Sequence, residues 1–277
     1  VLAIMATALV VPVSSATVRV AEVIGLLLAG IGLAAVGAEA GRPLRGINVF
    51  RHLRRSWMSR EALAAAAFGV LIGLDVVVPG PRQRGLGAAA ALGFILSQGF
   101  ILYAAKGVPA WATWELPVLF MTSALTKGLG VVLVLLAVVG EMKALAMAGE
   151  LAAGVILVDV LAWWVYAEAD GSRAKEESLR RLRAPGVAAA VLGLGHVLPL
   201  IPLVMWLAAG GPPLGAAAWA AAIACGVCMV AGGGILKWAV VRRAGMLHPL
   251  GLVVVRSGSL PVAAGAPSRS AMGSSHT

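Results

Sequence analysis

Two cysteines in 277 residues are too few to staple a small fold, and a charged fraction of 12% is too low for a disordered chain. The basic residues sit in segments between apolar stretches. No aromatic-interleaved soluble domain carries them, so the net charge of +10 does not point to nucleic acid. What the chain has in quantity is oil. Hydrophobic residues make up 60% and mean hydropathy is +0.95, which excludes a water-soluble globule and describes a protein whose partner is membrane lipid.

Bilayer hydrocarbon is about 30 Å thick and a helix rises about 1.5 Å per residue, so a span needs roughly 20 apolar residues. Apolar stretches run over 1–13, 20–38, 62–79, 85–104, 116–139, 146–168, 184–209 and 213–238, divided where Arg, Lys, Pro, Asp or Glu gather. Seven are long enough. The first would reach only about 20 Å. Because the chain opens on Val, it is counted as a trimmed span; a cleaved signal peptide is the competing reading, although no basic n-region or small-residue cleavage site is visible. The expected fold is an all-α, polytopic transmembrane helix bundle of about eight spans over 1–256. A disordered tail rich in Ser, Gly, Ala and Pro follows over 257–277. Glycines such as Gly25, Gly30, Gly32 and Gly37 suit close helix contact in lipid, and Gly232-Gly233-Gly234 lacks a phosphate-loop pattern.

With eight spans, both termini share one face with loops 39–61, 105–115 and 169–183. That face holds seventeen bases, and the opposite face holds Arg19, Arg82, Arg84 and Lys143. The bias places the termini and Arg-rich loops in the cytoplasm of a bacterial inner membrane, with recruitment of acidic lipid or a protein partner as the competing use of those arginines. In 169–183, Glu176 and Glu177 stand at helical spacing from Arg180 and Arg181, as on a solvated helix end.

Haem held between helices usually needs two facing axial histidines. Only His196 lies deep in a span, so no haem is expected, and His196 reads as a hydrogen-bonded core residue. Cys225 and Cys228 read as small packing residues rather than a metal pair. Ionisable residues inside spans are the sharper signal, since each costs roughly 2.5 to 3.5 kcal/mol on insertion scales unless partnered or wet. Lys127 and Asp159 fall near the middle of adjacent spans and could pair. Glu22, Asp75 and Glu150 lie nearer the less basic face. These five either line a proton path or fix packing through interhelical pairs.

Segment 39–61 concentrates the remaining chemistry. Pro43 halts one helix, Ser59 can cap the next, and Glu61 then sits in a first turn. Trp57, Arg60, Glu61 and Glu39 would meet at a membrane boundary, offering an aromatic wall, a donor and two carboxylates to an amphiphilic head group.

Three stretches, in order, resemble the DmsC and NrfD-like membrane anchors of the dimethyl sulfoxide reductase group. Glu39-Ala40-Gly41-Arg42-Pro43-Leu44-Arg45 and Ser56-Trp57-Met58-Ser59-Arg60-Glu61 are similar to that family's His-Leu-Gly-x-Pro-x-Arg and Ser-x-Leu-Ser-x-Glu. Tyr103 through Lys106, Pro109 and Trp111 resemble its Tyr-x-x-x-x-x-Pro-x-Trp turn, and Gly234 through Gly245 its closing helix. The resemblance implies an anchor subunit that exchanges electrons between a quinone, menaquinone or ubiquinone, and a ferredoxin-like [4Fe–4S] subunit, itself joined to a molybdopterin catalytic subunit carrying Mo or W. The chain itself would hold no iron–sulfur cluster. The implied quinone-binding set is Glu39, Arg45, Trp57, Arg60, Glu61, Tyr103, Lys106 and Trp111. Glu39 stands where the family has histidine, and an ionised carboxylate cannot donate to a quinone carbonyl. A secondary transporter with Lys127 and Asp159 as coupling residues is the alternative.

Overall fold

The computed structural model describes residues 1–39, 43–169, 173–211 and 215–245, without the side chains at 39, 43–47, 173 and 174. The expected tail, 257–277, and the side chains of Glu39 and Arg45 therefore lie outside the described residues. Among these residues every regular element is a helix, with no strand. Helix α1 is Leu2–Val10 and α2 Ser15–Glu39, followed by a 3-10 segment, Pro43–His52. Then come α3 Trp57–Val77, α4 Pro81–Ala104, α5 Glu115–Val139, α6 Met142–Ala167 and α7 Arg173–Leu182. The last two long helices are α8 Pro185–Ala208 and α9 Ala216–Ala244, each with a π-helical stretch.

Six helices are long and apolar enough to cross a membrane: α2, α4, α5, α6, α8 and α9. The other two expected spans differ. Helix α1 has nine residues, about 14 Å of rise, and lays Ala3, Ile4 and Thr7 into the core. Helix α3 carries Arg60, Glu61 and Asp75 and is not among the six. The architecture is that of a membrane-embedded helical protein. Leu27, Ile31, Val36, Val70, Leu161, Ile201 and Met205 point outward, which lipid accommodates and water would not.

Helix α5 is the hub, with Leu116, Leu119, Leu133 and Leu136 fully buried. Its neighbours approach through glycine, because in lipid close backbone contact replaces the hydrophobic drive. A methyl group on Gly130 would stand 2.8 Å from the carbonyl oxygen of Gly226 on α9, and one on Gly99 of α4 would stand 2.7 Å from Pro117 Cα. In α8, Pro199 lacks the N–H that the preceding turn expects and its ring crowds the carbonyl four residues back. The backbone answers with a π stretch over Ala189–Val197.

Side chains tie the helix ends into two layers. At one, the Thr17 hydroxyl donates to Glu141 Oε1 at 2.5 Å and the Ser14 hydroxyl donates to Thr17 Oγ1 at 2.9 Å. At the other, Trp111 Nε1 donates to the Val240 carbonyl and the Tyr166 hydroxyl to the Ala110 carbonyl, both at 3.0 Å. Arg183 Nε donates to the Ala167 carbonyl at the end of α6. Helix α7 pairs Glu177 with Arg180 and Arg181 as its spacing predicts, yet it buries Leu179 and Leu182, so only one face is solvated. Helix α3 is capped by Ser56, whose hydroxyl accepts from Ser59 N at 3.4 Å. Ser59, the expected cap, is itself buried in the first turn, because the helix starts three residues earlier than expected, at Trp57, and Glu61 lies beyond that turn.

Burial pushes the Glu141 carboxyl up, but the hydrogen bonds from Thr17 and Ser14 outweigh it and hold it below the ordinary glutamate range. A depressed carboxyl adds stability above the unfolded value and loses it as pH falls through the folded one. Glu141→Gln should therefore lose about 1 to 2 kcal/mol at neutral pH. The gap to the parent should close on acidification, as read from thermal unfolding in detergent across pH. A gap constant down to acid would remove the carboxylate from the account.

Candidate ligand pocket and buried polar cluster

The candidate residues separate into four places. The first is a ladder along α3 and α4. The Arg60 guanidinium sits over the Trp57 ring at 4.2 Å, Trp57 stacks on Phe100 with centroids 4.4 Å apart, Phe100 meets Tyr103 edge-on at 6.1 Å, and Lys106 Nζ lies 3.5 Å from the Tyr103 ring. Arg60 also donates to the carbonyls of Leu53 and Arg54, holding the segment before α3 against it. Four members of the expected quinone set are thus joined through Phe100, which the sequence reading did not single out. Trp111 is elsewhere, fastened to α9.

The second place is a pocket of about 310 Å³ whose lining comes from α1, α2, α3, α4, α5 and α9. Gly25, Phe68 and Phe94 belong to its apolar wall, and Gln98, Lys127 and Lys237 are its polar side chains. Gln98 also lies near the Glu61 carboxyl, which stands behind the lining. Lys127 Nζ donates to the Gly233 carbonyl at 3.2 Å, and its stem runs in the space that Gly233 leaves by having no side chain. Lys237 lies beside Lys127, and its ammonium is 5.2 Å from the Phe120 ring.

Behind the lysines is the third place. Asp159 of α6 is buried; its Oδ1 accepts from the Thr122 hydroxyl at 2.6 Å, and its Oδ2 lies 3.1 Å from His196 Nε2. The expected direct pairing of Lys127 with Asp159 is replaced by this contact with His196, and both lysines sense the Asp159 charge from farther off. The hydrogen-bonded core role expected of His196 is what the structure shows, with Asp159 as the partner that sequence reading did not supply.

The fourth place is at the end of α3. Glu22 and Asp75, both fully buried, share Arg84: Nε is 3.3 Å from Glu22 Oε1, and Nη2 is 2.8 Å from Asp75 Oδ2. Gly80 N donates to Asp75 Oδ1 at 2.7 Å. Glu150 is exposed on α6, beside Trp206 and Gly210. The five residues expected to line one proton path thus occupy four separate settings. Cys225 is buried, its thiol directed at the Pro199 carbonyl at 3.6 Å, in keeping with a packing role.

No protein-family model, curated protein or solved structure matches the chain. The chemistry therefore rests on these residues. An apolar chamber near the lower end of the usual ligand-pocket range, with a few convergent polar groups, suits a flat amphiphile. Two lysine side chains converge on it, and their N–H groups suit an electron-rich oxygen in a ligand. Lys127, Lys237 and Gln98 are the groups here that can donate to a ligand oxygen.

Proposed function

We propose that this chain is a membrane-anchor subunit that binds a quinone, menaquinone or ubiquinone, in the Gln98–Lys127–Lys237 pocket and exchanges reducing equivalents with a docked [4Fe–4S] subunit. That subunit in turn serves a molybdopterin catalytic subunit. The observation that carries the reading is the apolar pocket itself, with Gln98, Lys127 and Lys237 as its polar side chains. Glu61, the carboxylate that matches the anchor family's motif, lies near Gln98 behind that lining. A bound quinone supplies a two-electron, two-proton couple. Lys127, Lys237 and Gln98 would orient it and hold hydrogen bonds to its oxygens, while the surrounding side chains exclude water.

In this reading the chain lies in a bacterial inner membrane with cytoplasmic termini, and the partner docks on segments 14–19, 80–84, 140–145 and 210–213. Purification under mild detergent should yield the chain with an iron–sulfur protein and an extractable quinone. Glu61→Gln and Lys127→Met should each lower quinol-linked turnover by roughly 100-fold in an intact complex. Turnover unchanged in both variants, or a purified complex with no quinone and no quinol activity, would remove the reading.

A second reading, a proton-coupled secondary transporter, is favoured by one observation. Lys127, Asp159, His196 and Lys237, from four helices, gather beside a π-helical stretch of α8. A π-helical turn inside a helix is frequent at functional sites. Substrate-driven proton flux into liposomes containing this chain alone would decide for it.

A further inference from the structure

We infer that Asp159 and His196 form a proton-binding site that holds one shared proton inside the bundle. The argument is a count of donors and acceptors. His196 Nδ1 lies 2.9 Å from the Val191 carbonyl, which can only accept, so Nδ1 carries a hydrogen. A neutral imidazole protonated there presents a bare lone pair at Nε2. Yet Nε2 lies 3.1 Å from Asp159 Oδ2, and an ionised carboxylate also only accepts. Two bare acceptors at that distance, both buried, repel in a setting where water does not screen them.

One proton resolves the conflict. Either the imidazole takes it and donates to an ionised Asp159, or Asp159 takes it and donates to a neutral imidazole. The two arrangements have the same net charge and differ by transfer of one hydrogen along one bond, with no atom gained or lost. In both, the Thr122 hydroxyl donates to Asp159 Oδ1. The geometry disfavours the remaining possibility, a neutral imidazole protonated at Nε2 with a bare Nδ1 against the Val191 carbonyl.

The backbone is built around this contact. Nδ1 reaches the carbonyl five residues back, within the π-helical stretch that Pro199 and its neighbours close. The ionisable groups facing the pair are Lys127 from α5 and Lys237 from α9, both electrostatically coupled to Asp159; α6 contributes Asp159 itself. Lys127 and Lys237 also line the pocket, so the shared proton is stored directly behind the groups that would touch a ligand. This inference does not depend on the ligand being a quinone, and a proton store at this place serves redox or transport coupling equally.

The test uses the full chain with its other three histidines replaced: His52→Gln, His248→Gln and His276→Gln. His196, now the single histidine, is labelled with nitrogen-15 in bicelles, and the protonation of each ring nitrogen is read by NMR. The Asp159 carboxyl is followed by infrared spectroscopy and assigned with Asp159→Asn. A protonated Nδ1 together with either a protonated Nε2 or a protonated Asp159 carboxyl is the expected result. A bare Nδ1, or a protonated Nδ1 with both Nε2 and Asp159 bare, would overturn the inference. Neither reading requires a variant at His196 or an active complex, so failure of the quinone proposal leaves this result intact.

Discussion

Arg84→Ala is expected to cost about 3 to 5 kcal/mol at neutral pH, because it leaves two buried carboxylates with no cation. Glu22 and Asp75 come from different helices and are fully buried, and Arg84 contacts both. About a third of the Arg84 side chain is exposed, so the pairing could be mistaken for a surface bridge worth less than about 1 kcal/mol. The carboxylates decide otherwise. They are away from water, and the penalty for stranding them falls on Glu22 and Asp75, not on the arginine. The sign with pH follows: in the variant, acid protonates the stranded pair, removes the repulsion and lets one carboxyl donate to the other. The stability gap between parent and variant should be widest near neutrality and shrink as pH falls. Arg84→Lys, which keeps a charge but loses the planar fork, should lie between. Thermal unfolding in detergent at several pH values measures all three. A small loss independent of pH would show that Arg84 acts as an ordinary surface arginine.

That cluster also shows what was legible in the sequence. Glu22, Asp75, Lys127 and Asp159 stand out in oily stretches because a lone charge there is costly, and the structure gives three of them side-chain ionic or hydrogen-bond partners and Lys127 a backbone carbonyl. Their partners were not legible. Arg84 reads as one more base in a loop, and His196, weighed by itself, reads as an ordinary core residue, since Asp159 is 37 positions away. Helical character follows from composition, whereas the number of crossings does not. Hydropathy sees α1 as oily without seeing that it is nine residues long, and α3 combines an apolar middle with charged ends. The pocket could not be read either, because its wall is assembled from six helices and its polar residues are distant in sequence.

The glycine triplet of α9 offers a comparison in which one substitution has opposite expected signs at neighbouring positions. Alanine is favoured over glycine in a helix by about 1 kcal/mol, so each change starts with a gain. At Gly234 nothing lies within 4 Å of an added methyl group, and Gly234→Ala should be neutral or stabilising by up to that amount. At Gly232 the added methyl would fall within the backbone of Gly195 on α8, where no side chain can rotate aside. Overpacking against side chains costs about 1 to 3 kcal/mol. Here two helix backbones must separate, and Gly232→Ala should lose about 3 kcal/mol net, at the upper end of that range. Gly233→Ala should be intermediate, since the obstacle is the flexible Lys127 stem. The consequence at Gly232 is also local, because Gly195 precedes His196. Pushing α8 outward draws the imidazole away from Asp159, so the His196 ring nitrogens should change protonation in Gly232→Ala and keep it in Gly234→Ala. If both variants unfold alike, the close approach of α8 and α9 does not set the position of the pair.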